Sequence, residues 1–115
     1  MGTYKIQDLV DGLGLEIISN NISLDVDITG VYIGDLLSWV MANINRGNVW
    51  ITIQTHVNTI AVASLAEACG IIIPESAEID ANTIAKAEEH NIPLLRSKLT
   101  AYELAKRISN IVDKK

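Results

Sequence analysis

The residues best suited to hold or transform a ligand fall at intervals along the chain, each just after an apolar run. Gln54-Thr55-His56-Val57-Asn58 follows Trp50-Ile51-Thr52-Ile53 and combines an amide, a hydroxyl and an imidazole. Asp35 follows Val31-Tyr32-Ile33, Glu75-Ser76 follows Ile71-Ile72-Ile73, and Arg96-Ser97-Lys98 follows Pro93-Leu94-Leu95. If the apolar runs are parallel strands, all of these residues lie outside the carboxyl ends of one sheet, where α/β proteins bind ligands. The candidate ligand site is therefore Gln54, Thr55, His56, Asn58, Asp35, Glu75, Ser76 and Arg96.

Each of these residues also has an ordinary structural use. His56 has the chemistry of a general base or of a switch near neutrality, but nothing fixed by the sequence supplies its orienting acid or a nucleophile. Thr55 and Asn58 can hold a ligand or cap the helix that follows, and Asp35 can pair with His56 or cap its own helix. Gln54 can present its amide to a ligand or satisfy a neighbouring loop backbone. Arg96 and Lys98 are the best candidates for neutralising a phosphate or carboxylate, although solvation is the commoner fate of such residues. No cofactor is identified. Metal binding is unsupported, because His56 and His90 stand in no closely spaced cluster of ligands. Cys69, before Gly70 at the end of an apolar helix, reads as a small buried residue. Gly12-Leu13-Gly14 lacks the third glycine of a phosphate loop and precedes a strand, so it reads as a turn.

A chain of 115 residues, 49% hydrophobic, is long enough to bury a core as one domain spanning residues 1–115. No apolar run reaches the about 20 residues of a membrane helix. The start has neither a signal-peptide apolar region nor a complete myristoylation pattern, so a cytoplasmic location is expected. One cysteine excludes an internal disulfide. The net charge of −5 argues against nucleic acid as a partner. The charge is also uneven: residues 1–85 hold ten acids and two bases, a balance of −8, whereas residues 86–115 hold four acids and seven bases, a balance of +3.

The elements that must position these residues follow from periodicity. Residues 4–12 read as a short helix with Ile6, Leu9, Val10 and Leu13 on one face and Thr3 as its cap. Leu15 to Ile18 reads as a strand, and the alternation Ile22, Leu24, Val26, Ile28 as a half-exposed strand or connector. Strands are then expected at Val31 to Ile33, Val49 to Ile53, Ile71 to Ile73 and Pro93 to Leu95. Helices should run from Asp35 to about Asn45, from the elbow to about Ala68 with Gly70 closing it, from about Asp80 to His90, and from Thr100 onward. Thr100 and Glu103 form a capping box ahead of the stripe Ala101, Leu104, Ala105, Ile108, Ile111, Val112. Continuous apolar strands between helices imply a three-layer α/β/α fold, with a mainly parallel sheet of about five strands in Rossmann-like topology.

Two helices are more apolar than a sheet-covering helix has to be. Leu36, Leu37, Trp39, Val40, Met41 and Ile44 spread over roughly a 200° arc, about twice the stripe one sheet face needs. The helix through Ile60 and Ala68 has the same character. A homodimer through Leu36, Trp39, Val40, Met41 and Ile44 is expected.

A family resemblance rests on Ile28-Thr29-Gly30-Val31-Tyr32-Ile33-Gly34-Asp35-Leu36-Leu37, Gly47-Asn48-Val49-Trp50-Ile51-Thr52, Gly70-Ile71-Ile72-Ile73 and His90-Asn91-Ile92-Pro93-Leu94-Leu95. In that order they make Asp27 through Ile108 resemble the DRTGG domain, related to the N-terminal domain of HPr kinase/phosphorylase. Residues 3–18 resemble its lead-in, and Trp50 to Ala63 looks closest to small stand-alone bacterial members. The chain departs from the pattern where the name-giving residues fall, with His56-Val57 in place of Asp-Arg and Glu75-Ser76 in place of Gly-Gly. The resemblance implies an accessory module of the kind that accompanies CBS domains in a pyrophosphatase or acyltransferase domains in phosphotransacetylases. The expected function is a noncatalytic regulatory module that binds a small metabolite or nucleotide or docks on a partner enzyme. The alternative is a small enzyme of hydrolase or phosphoryl-transfer type, with His56 as acid/base and Arg96 or Lys98 holding an anion; no Walker sequence, Ser/His/Asp order or metal cluster supports it.

Overall fold

The structure, a computed structural model, describes residues 4–112; Thr3, the expected cap of the first helix, lies outside them. Short runs of consecutive apolar residues, such as Val49-Trp50-Ile51 and Ile71-Ile72-Ile73, make the central strands, because a strand buried on both faces has no polar side to show. β4 (Gly30–Ile33), β5 (Asn48–Ile51), β6 (Gly70–Ile73) and β7 (Leu94–Arg96) are parallel neighbours, and β2 (Glu16–Ile17) pairs antiparallel outside β7, giving the order β2-β7-β6-β5-β4. β5 and β6 are buried along their whole length. A separate two-stranded ribbon joins β1 (Tyr4–Lys5) to β3 (Asp27–Ile28). Of the alternating run from Ile22 to Ile28, only these last two residues enter a ladder.

Helices cover both faces. α2 (Leu37–Asn43), α3 (Asn58–Leu65) and α4 (Ala81–Glu89) connect successive parallel strands and all lie on one face. There Val40, Ile60, Ala63 and Ala87 pack with Trp50, Ile71, Ile73 and Leu94. α1 (Ile6–Leu13) and α5 (Ala101–Val112) cover the other face, where Ile6, Leu9, Leu104 and Ile108 meet Val49, Ile51, Ile72 and Leu95. The alternation of side chains along each strand sends successive residues to opposite layers, producing the α/β/α arrangement. The crossovers after β4, β5 and β6 stay on one face, and the chain leaving β7 goes to the other.

Several local expectations are corrected. The first helix starts at Ile6 because Tyr4 and Lys5 join the ribbon; the Lys5 N–H donates to Asp8 Oδ2 at 2.9 Å. The helix after β5 ends at Leu65, with Glu67 in the left-handed region at φ +56°, so Gly70 does not close it and instead opens β6. Gly14, at φ +62°, ends α1. The capping box of α5 forms as expected: the Thr100 N–H donates to Glu103 Oε1 at 3.1 Å, and the Glu103 N–H donates to Thr100 Oγ1 at 3.2 Å.

The expected interface helix is divided. Val40 is fully buried and so unavailable to a partner, and Ile44 is half-buried against the same cluster as Trp50. Leu36, Trp39 and Met41 do face water, at 68%, 64% and 38% exposure. Part of the wide apolar arc is thus used inside the monomer.

Candidate ligand-binding crevice

Because β4 to β7 are parallel, Asp35, Gln54 and Glu75, which follow strands, and Arg96, the last residue of β7, all lie at carboxyl ends on the same sheet edge. The structure nevertheless distributes the expected site over three places.

The first is the elbow after β5, where polar groups are used within the protein. Asp35 does not cap α2. Its Oδ1 accepts hydrogen bonds from Thr52 Oγ1 and the Ile53 N–H, each at 2.9 Å, because the carboxylate reaches across to the end of β5. Leu36 takes the cap position, with no side-chain bond. Gln54 Nε2 donates to the Asp35 carbonyl at 3.0 Å, and the Gln54 N–H donates to Thr52 Oγ1 at 3.2 Å. Thr59 Oγ1 donates to the Gln54 carbonyl, and Thr83 Oγ1 donates to the Thr55 carbonyl at 2.7 Å. Beside this network Asp35 and Glu75 share a hollow of about 150 Å³ with Thr52 and Pro74.

The second place is the start of α3. Neither Thr55 nor Asn58 caps it: Val57 stands at the cap with no side-chain hydrogen bond, while His56 Nδ1 accepts from the Asn58 N–H at 3.2 Å. Asn58 turns toward a shallow hollow with Lys86 and His90 of the neighbouring α4 end. No hydrogen bond or ion pair joins His56 to Asp35 among the described residues, so an acid–imidazole pair is not assembled.

The third place holds a depression of about 350 Å³, lined by Leu13, Gly14, Glu16, Ser76, Arg96, Ser97, Lys98, Leu99 and Arg107. It opens between the carboxyl ends of β6 and β7. The chain leaves β6 toward α4 on one face and leaves β7 toward α5 on the other, so the two loops diverge across the sheet. Such a reversal of crossover side opens a crevice by construction, and it is where open α/β sheets hold ligands. The elbow lies between crossovers on one side and has no such opening.

Arg96 organises this crevice. Its Nε and Nη2 donate to the two carboxylate oxygens of Glu16 at 2.9 and 3.0 Å, and Nη1 donates to the Ala77 carbonyl at 3.2 Å. The guanidinium beside Glu16 holds that carboxyl below its ordinary value, and the carboxylate raises Arg96 in turn. The loop after β6 is tied across by the Glu75 N–H to the Leu99 carbonyl and the Ser76 N–H to the Ser97 carbonyl, both 2.8 Å. Glu75 and Ser76 adopt φ +58° and +51°, a conformation that favours glycine. These are the two positions where the resemblance calls for Gly-Gly. Cys69 takes no part in any site: burial pushes its thiol up to about 12.

Sequence reasoning missed Arg107 and Glu16 as crevice residues. Glu16 reaches Arg96 only through the β2–β7 pairing, a separation of 80 residues that no local pattern reports. Arg107 stands one turn after Glu103 on the outer side of α5, and only the docking of α5 aims it at the strand ends. Among the described residues no three His, Cys, Asp or Glu side chains gather as a metal site, and no helix is long and apolar enough to cross a membrane.

Several of the residues behind the resemblance turn out to be structural. Thr29 Oγ1 donates to the Arg46 carbonyl at 2.8 Å and accepts from Asn48 Nδ2 at 3.1 Å, and a Cβ on Gly47, at φ +83°, would meet the Thr29 side chain at 2.7 Å. Trp50 Nε1 donates to the Gly34 carbonyl at 2.9 Å. Comparison with known proteins agrees. The fold matches the solved CBS and DRTGG domains of the regulatory region of Clostridium perfringens pyrophosphatase, complexed with its activator diadenosine tetraphosphate, at a TM-score of 0.75 and 14% identity. The match covers 92% of this chain and 46% of that one, so the chain spans less than half of its length, and the likeness is one of fold. No curated protein matches. The DRTGG domain profile matches residues 8–111, taking in the stitched strand starts, the sheet and the crevice, and the chain therefore belongs to the DRTGG domain family.

Proposed function

We propose that this protein is a noncatalytic regulatory module that binds a small metabolite or nucleotide in the crevice between β6 and β7. It passes that state on by associating with a second copy of itself or with a partner enzyme. The observation that carries the reading is the coincidence of a polar-lined depression of about 350 Å³ with the place where the helices after neighbouring parallel strands take opposite faces of the sheet. Association is supported by the free edge of β4 and the outer side of α2, which place Val31, Ile33, Leu36, Trp39 and Met41 in water. The solved regulatory region with a nucleotide activator adds an analogy at the level of fold.

A thermal-shift ligand screen tests the reading. A ligand present at 100 times its Kd should stabilise the wild type by about 2.7 kcal/mol. It should fail to stabilise Ser97→Phe, which fills the crevice, and should still stabilise a His56→Ala, Asn58→Ala double variant. The reverse pattern returns the site to the elbow. Native mass spectrometry should find twice the 12.5 kDa chain mass, reduced to one chain by Trp39→Asp.

A further inference from the structure

The crevice collects bases that form no ion pair among the described residues. Lys5, Arg46, Lys86 and Arg96 each reach an acid, at 2.7, 3.3, 3.2 and 2.9 Å. Among the described residues Lys98, Lys106 and Arg107 make no ion pair, in a chain where acids outnumber bases 14 to 9. Two of the three, Lys98 and Arg107, line the crevice. Glu103, one turn before Arg107, hydrogen-bonds at the Thr100 cap, which with the nearby Arg107 charge holds its carboxyl below the ordinary value, but it forms no ion pair with Arg107. Glu16 is the crevice's own carboxylate, and Arg96 already occupies both of its oxygens.

The remaining lining fits the same kind of ligand. Ser97 Oγ accepts from the Leu99 N–H at 3.1 Å, which leaves its O–H proton to donate, and Ser76 adds a second hydroxyl. Leu13 and Leu99 supply apolar walls. A volume of about 350 Å³ lies at the small end of the range for metabolite sites, near the size of a sugar phosphate or mononucleotide. An extended polyanion would meet the acidic residues 1–85, whereas a small ligand feels mainly charges within about 10 Å.

We propose that the crevice recognises a small phosphorylated metabolite, holding its phosphate between Lys98 and Arg107 with the Ser76 and Ser97 hydroxyls as further donors. The rest of the ligand lies against Leu13 and Leu99. Arg96, clamped by Glu16, is a positioning residue that holds β2, β7 and the loop after β6 in register. The proposal rests on the reading of the crevice as the ligand site and adds the ligand's chemical class.

Amide NMR titrations with inorganic phosphate, AMP and adenosine, at constant ionic strength set with chloride, test it. Phosphate and AMP should give saturable shifts at Ser76, Ser97, Lys98 and Leu99, with AMP at least tenfold tighter than adenosine. A Lys98→Ala, Arg107→Ala variant should lose at least tenfold in affinity, while Lys106→Ala stays within twofold. Unchanged affinity in the double variant, or shifts that never saturate, would overturn the phosphate assignment. Adenosine binding as tightly as AMP at the same amides overturns the phosphate class and keeps the crevice. Saturable shifts centred on Gln54 to Asn58 overturn the crevice itself.

Discussion

The elbow after β5 and the crevice between β6 and β7 stand on the same sheet edge and use their polar groups in opposite ways. At the elbow, Asp35, Thr52, Gln54, Thr59 and Thr83 bond to one another or to nearby backbone. At the crevice, Lys98 and Arg107 make no ion pair among the described residues, and the one ion pair at the rim joins Arg96 to Glu16. The first region is rich in chemistry-bearing residues and closed by its own hydrogen bonds; the second is less conspicuous in sequence and open. Polar residues beyond a strand end are needed there in any case to satisfy loop backbone. An opening depends on where the neighbouring crossovers go.

If the elbow is structural and the crevice is not, the largest contrast should appear in stability. Thr52 is buried at 1% exposure, and its hydroxyl serves both Asp35 and the Gln54 N–H. Thr52→Val should cost about 1–3 kcal/mol in urea unfolding by stranding both partners. Lys98→Ala, on the surface, should stay within about 0.5 kcal/mol. Equal costs at the two positions would erase the distinction.

A smaller effect of opposite sign should separate the two loops. Glu75→Gly and Ser76→Gly should each raise stability by about 0.5–1 kcal/mol, since glycine relieves the left-handed backbone by more than its added chain entropy costs. The same change at His56, whose φ is not positive, should lower stability. Thermal unfolding of the three variants measures the difference; a loss at residues 75 and 76 would show that their side chains carry more than their backbone strain.

The smallest effect concerns acid. Glu16 is held below its ordinary value of 4.5 by hydrogen bonding to Arg96. Its contribution is complete above pH 4.5 and is lost as pH falls through the lowered folded value. The crevice rim should therefore loosen only in the range below 4.5, and the effect is modest because the pair is exposed to solvent. An NMR titration that placed the Glu16 carboxyl at or above 4.5 would break this link between rim and charge pair.

Much of the fold was legible locally. Ile71-Ile72-Ile73 and Val49-Trp50-Ile51 can be little other than buried strands, and the Thr100–Glu103 box with its apolar stripe marks α5. The start of α2 was not legible, because Asp35 has equal claims to cap a helix and to reach a neighbouring strand, and the Thr52 hydroxyl 17 residues away decides between them. The same holds for Val40: helical spacing makes it apolar without saying whether Trp50 or a second chain will cover it. The expected site was split because residues after successive strands share an edge without sharing an opening.

The sequence by itself determined the alternation of buried strands and helices, the basic bias of the last 30 residues and the family pattern, since each is written in short-range periodicity, composition or residue type. The side of the sheet taken by each helix was decided only in three dimensions. α2, α3 and α4 pack on one layer and α5 on the other because each layer must fill its own core against alternating strand residues. That choice opens the crevice between β6 and β7, brings Glu16 to Arg96 across 80 residues, and sets Lys98 and Arg107 around the opening.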